Sequence, residues 1–503
     1  MSERAEEILW NSFFRLQPES GRPLQVQIRQ AVVAAIHERR IPLGARVPAS
    51  RDLAERLGVA RNTVVLAYQQ LVDEGFLVSR QRSGYFVAED VPDPNGGAAA
   101  IASEAGGPDW DRLIGPRPSR DRNIAKPKNW LGYPYPFLYG QFDPGLFPIN
   151  AWRECARMAL SVIEIRDWAR DLIDGDDAEL IEQLRLHVLP RRGVWAAPDE
   201  IIVTLGAQQA LFLVAALLMR AGSRVGVEDP GYPDARNIFR RMAAEIVPLA
   251  VDENGLVVGP DCATCDVLYV TPSSQCPTTA TMPAVRREAL LALARERDIV
   301  LIEDDYETEF LGEGPPTPAL KSLDREGRVL YVGSLSKVLA PGLRLGYIVA
   351  PEPVVRELRA LRRLMLRHPP VNNQRAASLF LSLGHYDSHL RRVHDGLRQR
   401  ATLVDSALAR WFPEFRWRRS RGSSSAWVEG GADLDARALA REAEKRGILI
   451  EPGDIFFGSD DPPKNLFRLG FSSIAAERIE PGLKALSEVK RELGSSVAAR
   501  AGS

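Results

Sequence analysis

The residues with the most chemical content lie in one run, Leu330-Tyr-Val-Gly-Ser-Leu-Ser-Lys337-Val-Leu-Ala-Pro-Gly-Leu-Arg344-Leu-Gly346. A lysine follows an apolar, strand-like stretch, with hydroxyls at Ser334 and Ser336 and a guanidinium at Arg344. A desolvated lysine loses its proton readily and can attack an aldehyde, as a Schiff-base lysine must. Hydroxyls and a guanidinium nearby suit a phosphate. A second anion-favouring feature is Thr204-Leu-Gly206-Ala207-Gln208-Gln209, where a glycine turn opens an apolar helix, because the first backbone N–H groups of a helix point outward unpaired. The acidic strand end Ile302-Glu303-Asp304-Asp305-Tyr306 is ambiguous by itself between solvated carboxylates, a metal site and an organic-cofactor site.

Taken together, these elements resemble the signature of fold-type I aminotransferases. The resemblance implies that Lys337 carries pyridoxal 5'-phosphate as an aldimine, with Ser334, Ser336 and Arg344 on the phosphate and Ala207 and Gln208 contributing from the helix turn. It gives Asp304 the pyridine nitrogen, which a carboxylate keeps protonated so that the ring accepts electrons. It also gives Tyr306 the ring oxygen, Tyr232 of Glu228-Asp-Pro-Gly-Tyr232 the ring face, and Arg468 of Phe467-Arg468-Leu-Gly-Phe471 the acid group of an effector, held by two parallel hydrogen bonds. One segment departs from the pattern. In Thr271-Pro-Ser-Ser274-Gln-Cys276-Pro-Thr-Thr279, Cys276 stands where the family has an asparagine on the ring oxygen, and Thr279 replaces a glycine. A thiol cannot donate as an amide does, which speaks against efficient transamination more than against cofactor binding.

These residues need a frame to hold them. From about residue 129 to 493, short apolar strands at Ile201–Thr204, Arg224–Val227, Val267–Val270, Ile299–Ile302 and Val329–Val332 alternate with helical patterns. That alternation predicts an α/β domain with a mostly parallel sheet and crossover helices, followed by a smaller α/β portion after Pro370. Residues 89–128 are poor in large apolar side chains and rich in Pro, Gly, Ala and Arg. They are expected to be a flexible linker with a reach of roughly 35 Å.

Residues 13–88 have a different pattern. Leu24 to Arg39 and Arg61 to Glu74 carry apolar residues at helical spacing, a short helix opens at Pro48-Ala49-Ser50 with Ser50 as N-cap, and Phe76 to Val87 reads as a hairpin. Helix, helix, tight turn, helix and hairpin make a winged helix-turn-helix. Between Arg15 and Ala88 there are eleven arginines, no lysine and six acids, a local positive surplus suited to DNA. The run Pro48-Ala-Ser-Arg51-Asp-Leu-Ala-Glu-Arg-Leu-Gly-Val-Ala-Arg61-Asn62-Thr63, with Gly84-Tyr-Phe-Val87, resembles the GntR winged-helix family. Arg61, Asn62 and Thr63 open the recognition helix, Arg61 being the candidate for a bidentate guanine contact. Arg51 would reach phosphate or a base edge, and the Gly84 wing the minor groove. Both halves in this order resemble the MocR/GabR regulators. The resemblance implies a homodimer with head-to-tail domain exchange, bound to a double-stranded DNA operator and responsive to a small amine or to the cofactor itself. A working aminotransferase with a fused DNA-binding domain is the alternative.

The 503-residue chain has 45% hydrophobic and 26% charged residues, as ordinary globular proteins do. It shows no apolar run of membrane-spanning length and no basic-then-apolar start, so a cytoplasmic location is expected. Four cysteines, with Cys262 and Cys265 the only close pair, make neither a disulfide framework nor a zinc site, and no metal is expected.

Overall fold

The computed structural model describes residues 14, 16–17, 19, 21–81, 83–91, 108–140, 143–307, 318–420 and 422–501. It divides into two compact units, Met1–Arg117 and Pro118–Ser503.

In the first unit α1 (Leu24–His37) packs with α2 (Ser50–Leu57) and α3 (Arg61–Asp73), and β1 (Leu77–Arg80) pairs antiparallel with β2 (Gly84–Val87). Ile28, Val32, Ala35, Leu53, Val64, Ala67, Tyr68 and Leu71 close one apolar core, the i, i+3/i+4 faces of three amphipathic helices. The Tyr68 hydroxyl donates to the Pro48 carbonyl at 3.0 Å, tying α3 to the segment that precedes α2. Gly58 ends α2 in the left-handed region at φ 63°, which lets the chain turn sharply into α3. One local reading changes. Ser50 is the first helical residue rather than the cap, and the cap position is held by Ala49 without a side-chain bond.

The second unit is built on an eight-stranded sheet. Its strands are β3 (Ile201–Thr204), β4 (Arg224–Asp229), β5 (Glu245–Asp252), β6 (Gly255–Leu256), β7 (Val267–Val270), β8 (Val300–Asp305), β9 (Val329–Ser334) and β10 (Gly346–Val349). Their order is β3-β10-β9-β8-β7-β4-β5-β6. β10 runs antiparallel to both neighbours and β6 antiparallel to β5; the other pairings are parallel. Strands β3, β7 and β9 are buried along their whole length, as expected where helices cover both faces. Helix α4 (Ala207–Leu218) buries Ala210, Leu211, Leu213, Val214 and Ala215, each large aliphatic side chain contributing about 1.5–3 kcal/mol. A smaller antiparallel sheet of β11 (Arg416–Arg418), β12 (Ser425–Glu429), β13 (Glu451–Pro452) and β14 (Leu466–Gly470) runs in the order β11-β12-β14-β13.

Two glycines set the packing near the site. A Cβ on Gly346 would stand 2.7 Å from the Gly206 backbone, and one on Gly333 would lie 2.2 Å from the Tyr347 ring. β9 and β10 can therefore carry their loops only with hydrogen at these positions. The expected linker is shorter than its composition suggested, because Pro118 to Lys128 belongs to the second unit. Arg122 Nη2 donates to Asp454 Oδ2 at 3.2 Å, Asn237 Nδ2 donates to the Arg122 carbonyl at 3.0 Å, and Arg241 pairs with Asp121 at 2.6 Å. Polar side chains, rather than apolar burial, pin this segment, so its composition gave no sign of order. No helix among the described residues is long and apolar enough to cross a membrane.

Candidate functional site: a cofactor cavity and a winged helix

Parallel strands bring their carboxyl ends to one edge, where the crevice of an open α/β sheet lies. The loops after β3, β4, β7, β8 and β9 meet there around a cavity of about 340 Å³. Ala207, Gln208, Tyr232, Asp304, Tyr306, Ser334, Ser336, Lys337, Arg344 and Arg468 all line it. Residues spread over more than 260 positions of sequence thus converge on one volume.

The tertiary structure resolves the acidic run. Glu303 accepts the backbone N–H groups of Leu320 and Lys321 at 2.7 Å each. Asp305 is paired with Arg192 at 2.8 Å and accepts the Tyr331 hydroxyl at 2.6 Å. Asp304 alone faces the cavity. Its Oδ2 accepts the Tyr269 hydroxyl at 2.7 Å, while its Oδ1 is buried without a partner. Burial pushes its carboxyl up to about 6, against the Tyr269 hydrogen bond and the Lys337 charge.

Lys337 sits with its Nζ 4.4 Å from the Tyr139 ring centre. Burial, and then the neighbouring Lys126, pull its ammonium down to about 8. Gly140 makes room for it. At φ +71° this glycine is in the left-handed region, and a Cβ there would lie 2.9 Å from the Lys337 Nζ. Behind Lys337 a smaller cavity is lined by Glu307, His389 and Ser424. Glu307 is occupied by the Ser424 backbone N–H at 2.8 Å and by the Ser274 hydroxyl at 3.2 Å.

The anion end is formed by the α4 N-terminus and Arg344. Gly206 precedes α4 at φ 78°. It lets the Arg344 guanidinium lie against the turn, where Nη2 donates to the Leu205 carbonyl at 3.0 Å. The hydroxyls differ from their expected uses. Ser336 accepts from the Leu345 N–H at 2.7 Å and donates to the Leu345 carbonyl at 3.1 Å, so it latches its own loop. Tyr306 donates to the Ser274 carbonyl at 2.8 Å, which leaves its oxygen only as an acceptor toward the cavity. The Tyr232 hydroxyl lies 3.0 Å from Gln208 Oε1 and 3.1 Å from Asp234 Oδ2, two acceptors for its one proton, which hold the ring at the cavity wall. Cys276 lines the cavity as a neutral thiol, pushed up to about 12 chiefly by burial. Thr279, which replaces the glycine of the family pattern, holds φ +60°.

Arg468 is 2% exposed, and its Nε donates to Glu451 Oε2 at 2.8 Å across the β13–β14 register. Its Nη2 is buried without a partner. Glu451 therefore takes the Nε side of the fork and leaves Nη2 without an acceptor. Lys126 Nζ lies 3.2 Å from the other Glu451 oxygen. The sequence reading missed Lys126, Tyr139, Glu307 and Glu451. Glu451 left a faint signal, a lone carboxylate after the apolar Ile448-Leu449-Ile450; Lys126 left none.

Pyridoxal phosphate fits this cavity. The unpartnered Asp304 Oδ1 is the acceptor that a protonated ring nitrogen requires, and the α4 N-terminus with Arg344 and Ser334 gives the donors that a phosphate requires.

In the first unit Arg51, Arg61, Asn62 and Gly84 are exposed and Thr63 is half-buried. Arg61 is the first residue of α3, the end of a recognition helix that enters a major groove. Gly84 opens β2 at φ +101° beside the Arg46 guanidinium, so the wing tip is both bare and basic.

The comparisons agree with this division. The family "Aminotransferase class I and II" matches residues 154–486, and "Bacterial regulatory proteins, gntR family" matches residues 24–87. The HTH-type transcriptional regulator TauR of Rhodobacter capsulatus is 42% identical over 95% of this chain and 99% of its own. The probable rhizopine catabolism regulatory protein MocR of Rhizobium meliloti is 29% identical over 96% of each. Among solved structures, Thermus thermophilus LysN, an α-aminoadipate aminotransferase complexed with N-(5'-phosphopyridoxyl)-L-leucine, superposes with a TM-score of 0.64 at 30% identity. That match covers 71% of this chain and 92% of LysN. With a GntR winged helix joined to an aminotransferase-like domain that takes pyridoxal phosphate, the chain belongs to the MocR/GabR-type transcriptional regulators.

Proposed function

We propose that the protein senses a primary-amine metabolite in the cavity around Lys337 and changes its hold on a DNA operator in response. When bound, pyridoxal phosphate supplies a carbonyl carbon that reacts reversibly with primary amines. Lys337 is the resident amine, and a value near 8 leaves part of it unprotonated at neutral pH. Asp304 would hold the ring nitrogen, Tyr232 the ring face, and Ala207, Gln208, Ser334 and Arg344 the phosphate. Arg468 would face the effector's acid group. The observation that carries the reading is the convergence of these residues on one cavity that retains two buried, unpartnered polar atoms, Asp304 Oδ1 and Arg468 Nη2.

Sensing is favoured over turnover by the cavity wall. Tyr306 spends its proton on Ser274, and Cys276 offers a weak thiol donor, so a negative charge developing on the ring oxygen finds little support. On the DNA side Arg61 reads a base edge, with Asn62 and Thr63 beside it and Arg51 and the Gly84 wing on the backbone. We also propose a cytoplasmic homodimer with head-to-tail exchange. Ile149, Leu160, Val162 and Ile163 are large apolar side chains, more than half exposed, on or beside two consecutive helices, a cluster suited to cover by a second copy.

The test uses the cofactor-loaded protein with a panel of amines and a keto acid. Operator affinity, measured on DNA recovered with the protein and sequenced, should change with one class of amine while keto product stays below one turnover. Steady multiple turnover would place the protein with the aminotransferases instead.

A further inference from the structure

Helix α3 turns Val64, Ala67, Tyr68 and Leu71 into the core of the first unit. At about 3.6 residues per turn, the face turned away from that core carries Asn62, Val65, Leu66 and Gln69. Their i, i+3, i+4, i+7 spacing is the one by which a helix seated in a major groove presents side chains to neighbouring bases. Asn62 and Gln69 are exposed, Val65 is half-buried, and Leu66 is 47% exposed. Among the described residues of 21–91, the large apolar side chains left exposed are Leu43, Leu66 and Val78, and of these only Leu66 lies on α3. No charged side chain stands between Arg61 and Asp73 in the sequence. Other arginines of this unit sit on other elements: Arg51 and Arg56 on α2, Arg80 on β1, and Arg46 beside the Gly84 wing. A single exposed leucine is ordinary. One at the middle of the outward face of a recognition helix, between two amides and with no charge nearby on that face, is suited to base edges rather than phosphates. In the major groove an A·T pair shows adenine N6 and N7, which an amide matches, and the C5-methyl group of thymine, which takes an apolar contact. Closing that methyl against a leucine removes apolar surface of both from water.

We infer that Leu66, with Val65 beside it, is a specificity-determining residue that reads the C5-methyl group of a thymine in the operator, within an A·T stretch adjoining the guanine read by Arg61. This rests on the reading that α3 enters the major groove. Asn62 takes the adenine edge in the same stretch. Cytosine has no methyl at that place and would set its N4 donor against an apolar side chain, so the leucine rejects it twice over.

The probe is a duplex selected from a random pool by the full-length, cofactor-loaded protein, and the same duplex with its thymines replaced one at a time by uracil. Uracil keeps the base pairing and removes only the C5-methyl group. Affinities are read by fluorescence anisotropy for wild type, Leu66→Ala and Leu66→Met. Wild type should lose about fourfold at one or two thymines, the effect of one buried methyl group. Leu66→Ala should bind the all-thymine duplex more weakly by a similar factor and should lose nothing further when those thymines become uracil. Leu66→Met, which keeps the apolar volume, should keep the preference for thymine. The inference is overturned if no uracil position matters to wild type, or if uracil costs Leu66→Ala as much as it costs wild type. It is also overturned if Leu66→Ala changes the sedimentation of the protein and leaves the thymine preference intact, since Leu66 then covers a protein surface. If Arg61→Ala and Leu66→Ala both bind the duplex as wild type does, α3 does not dock in the groove, and the inference falls with that reading.

Discussion

Replacing Asp304 with asparagine should make the empty protein more stable and the loaded protein less so. In the cavity wall Asp304 is 5% exposed, and its Oδ1 has no partner among the protein's own groups. Burial pushes it up to about 6 from an ordinary 3.8. A folded-state value above the unfolded one means that the native state binds the extra proton. Stability is then highest below the unfolded value and falls as pH rises from about 4 to about 6, reaching a deficit near 3 kcal/mol above it. The amide carries no such charge, so apo Asp304→Asn should melt a few degrees above apo wild type at pH 8, with the gap closing at pH 4. Cofactor binding should reverse the order. The carboxylate is the charged acceptor for a ring N–H, a bond of about 1.5–3 kcal/mol, so the dissociation constant should rise roughly tenfold to 150-fold. Thermal melts of apoprotein at both pH values, with a spectrophotometric cofactor titration at pH 8, test both halves. The assignment of Asp304 is refuted if the affinity moves less than about threefold. The desolvation argument is refuted if apo Asp304→Asn is no more stable than wild type at pH 8.

Lys337→Ala should abolish the borohydride-trapped cofactor adduct located by peptide mass mapping; an adduct retained at Lys126 would contradict the assignment. Because the Lys337 ammonium lies near 8, the rate of cofactor uptake by wild-type apoprotein should rise with pH through about 8 and then level off, and a flat profile would show that deprotonation of Lys337 does not control it. Gly140→Ala puts a methyl group 2.9 Å from the Lys337 Nζ at a φ of +71°, so cofactor occupancy of the purified protein should drop markedly, as read from its visible absorbance. Arg61→Ala should cost about 1–3 kcal/mol on the operator and relax one base preference. Arg51→Ala should weaken all sequences alike and flatten the salt dependence, both read by fluorescence anisotropy at several salt concentrations.

Several features were legible in the sequence because they are local. The parallel strands appear as unbroken apolar runs, since helices cover both faces and every residue of β3, β7 and β9 is buried. The helix pair of the head shows in its 3.6-residue periodicity and in Gly58. Lys337, with Arg344 and the serines before it, is a short motif whose spacing is set by one loop, and it led to the cavity without any tertiary information. What the tertiary structure decided were pairings between distant positions. Three consecutive acids follow one another on β8, and only the arrival of Arg192, Tyr331 and the Leu320–Lys321 backbone shows that Asp304 is the one left facing the cavity. Arg468 reads as an open cation until the β13–β14 register sets Glu451 beside it. Lys126 lies in a stretch whose composition argues for disorder, because composition measures apolar burial and this segment is held by ion pairs and hydrogen bonds to residues more than 100 positions away. Local pattern reports which surfaces must be buried; it carries no record of which charges meet once they are.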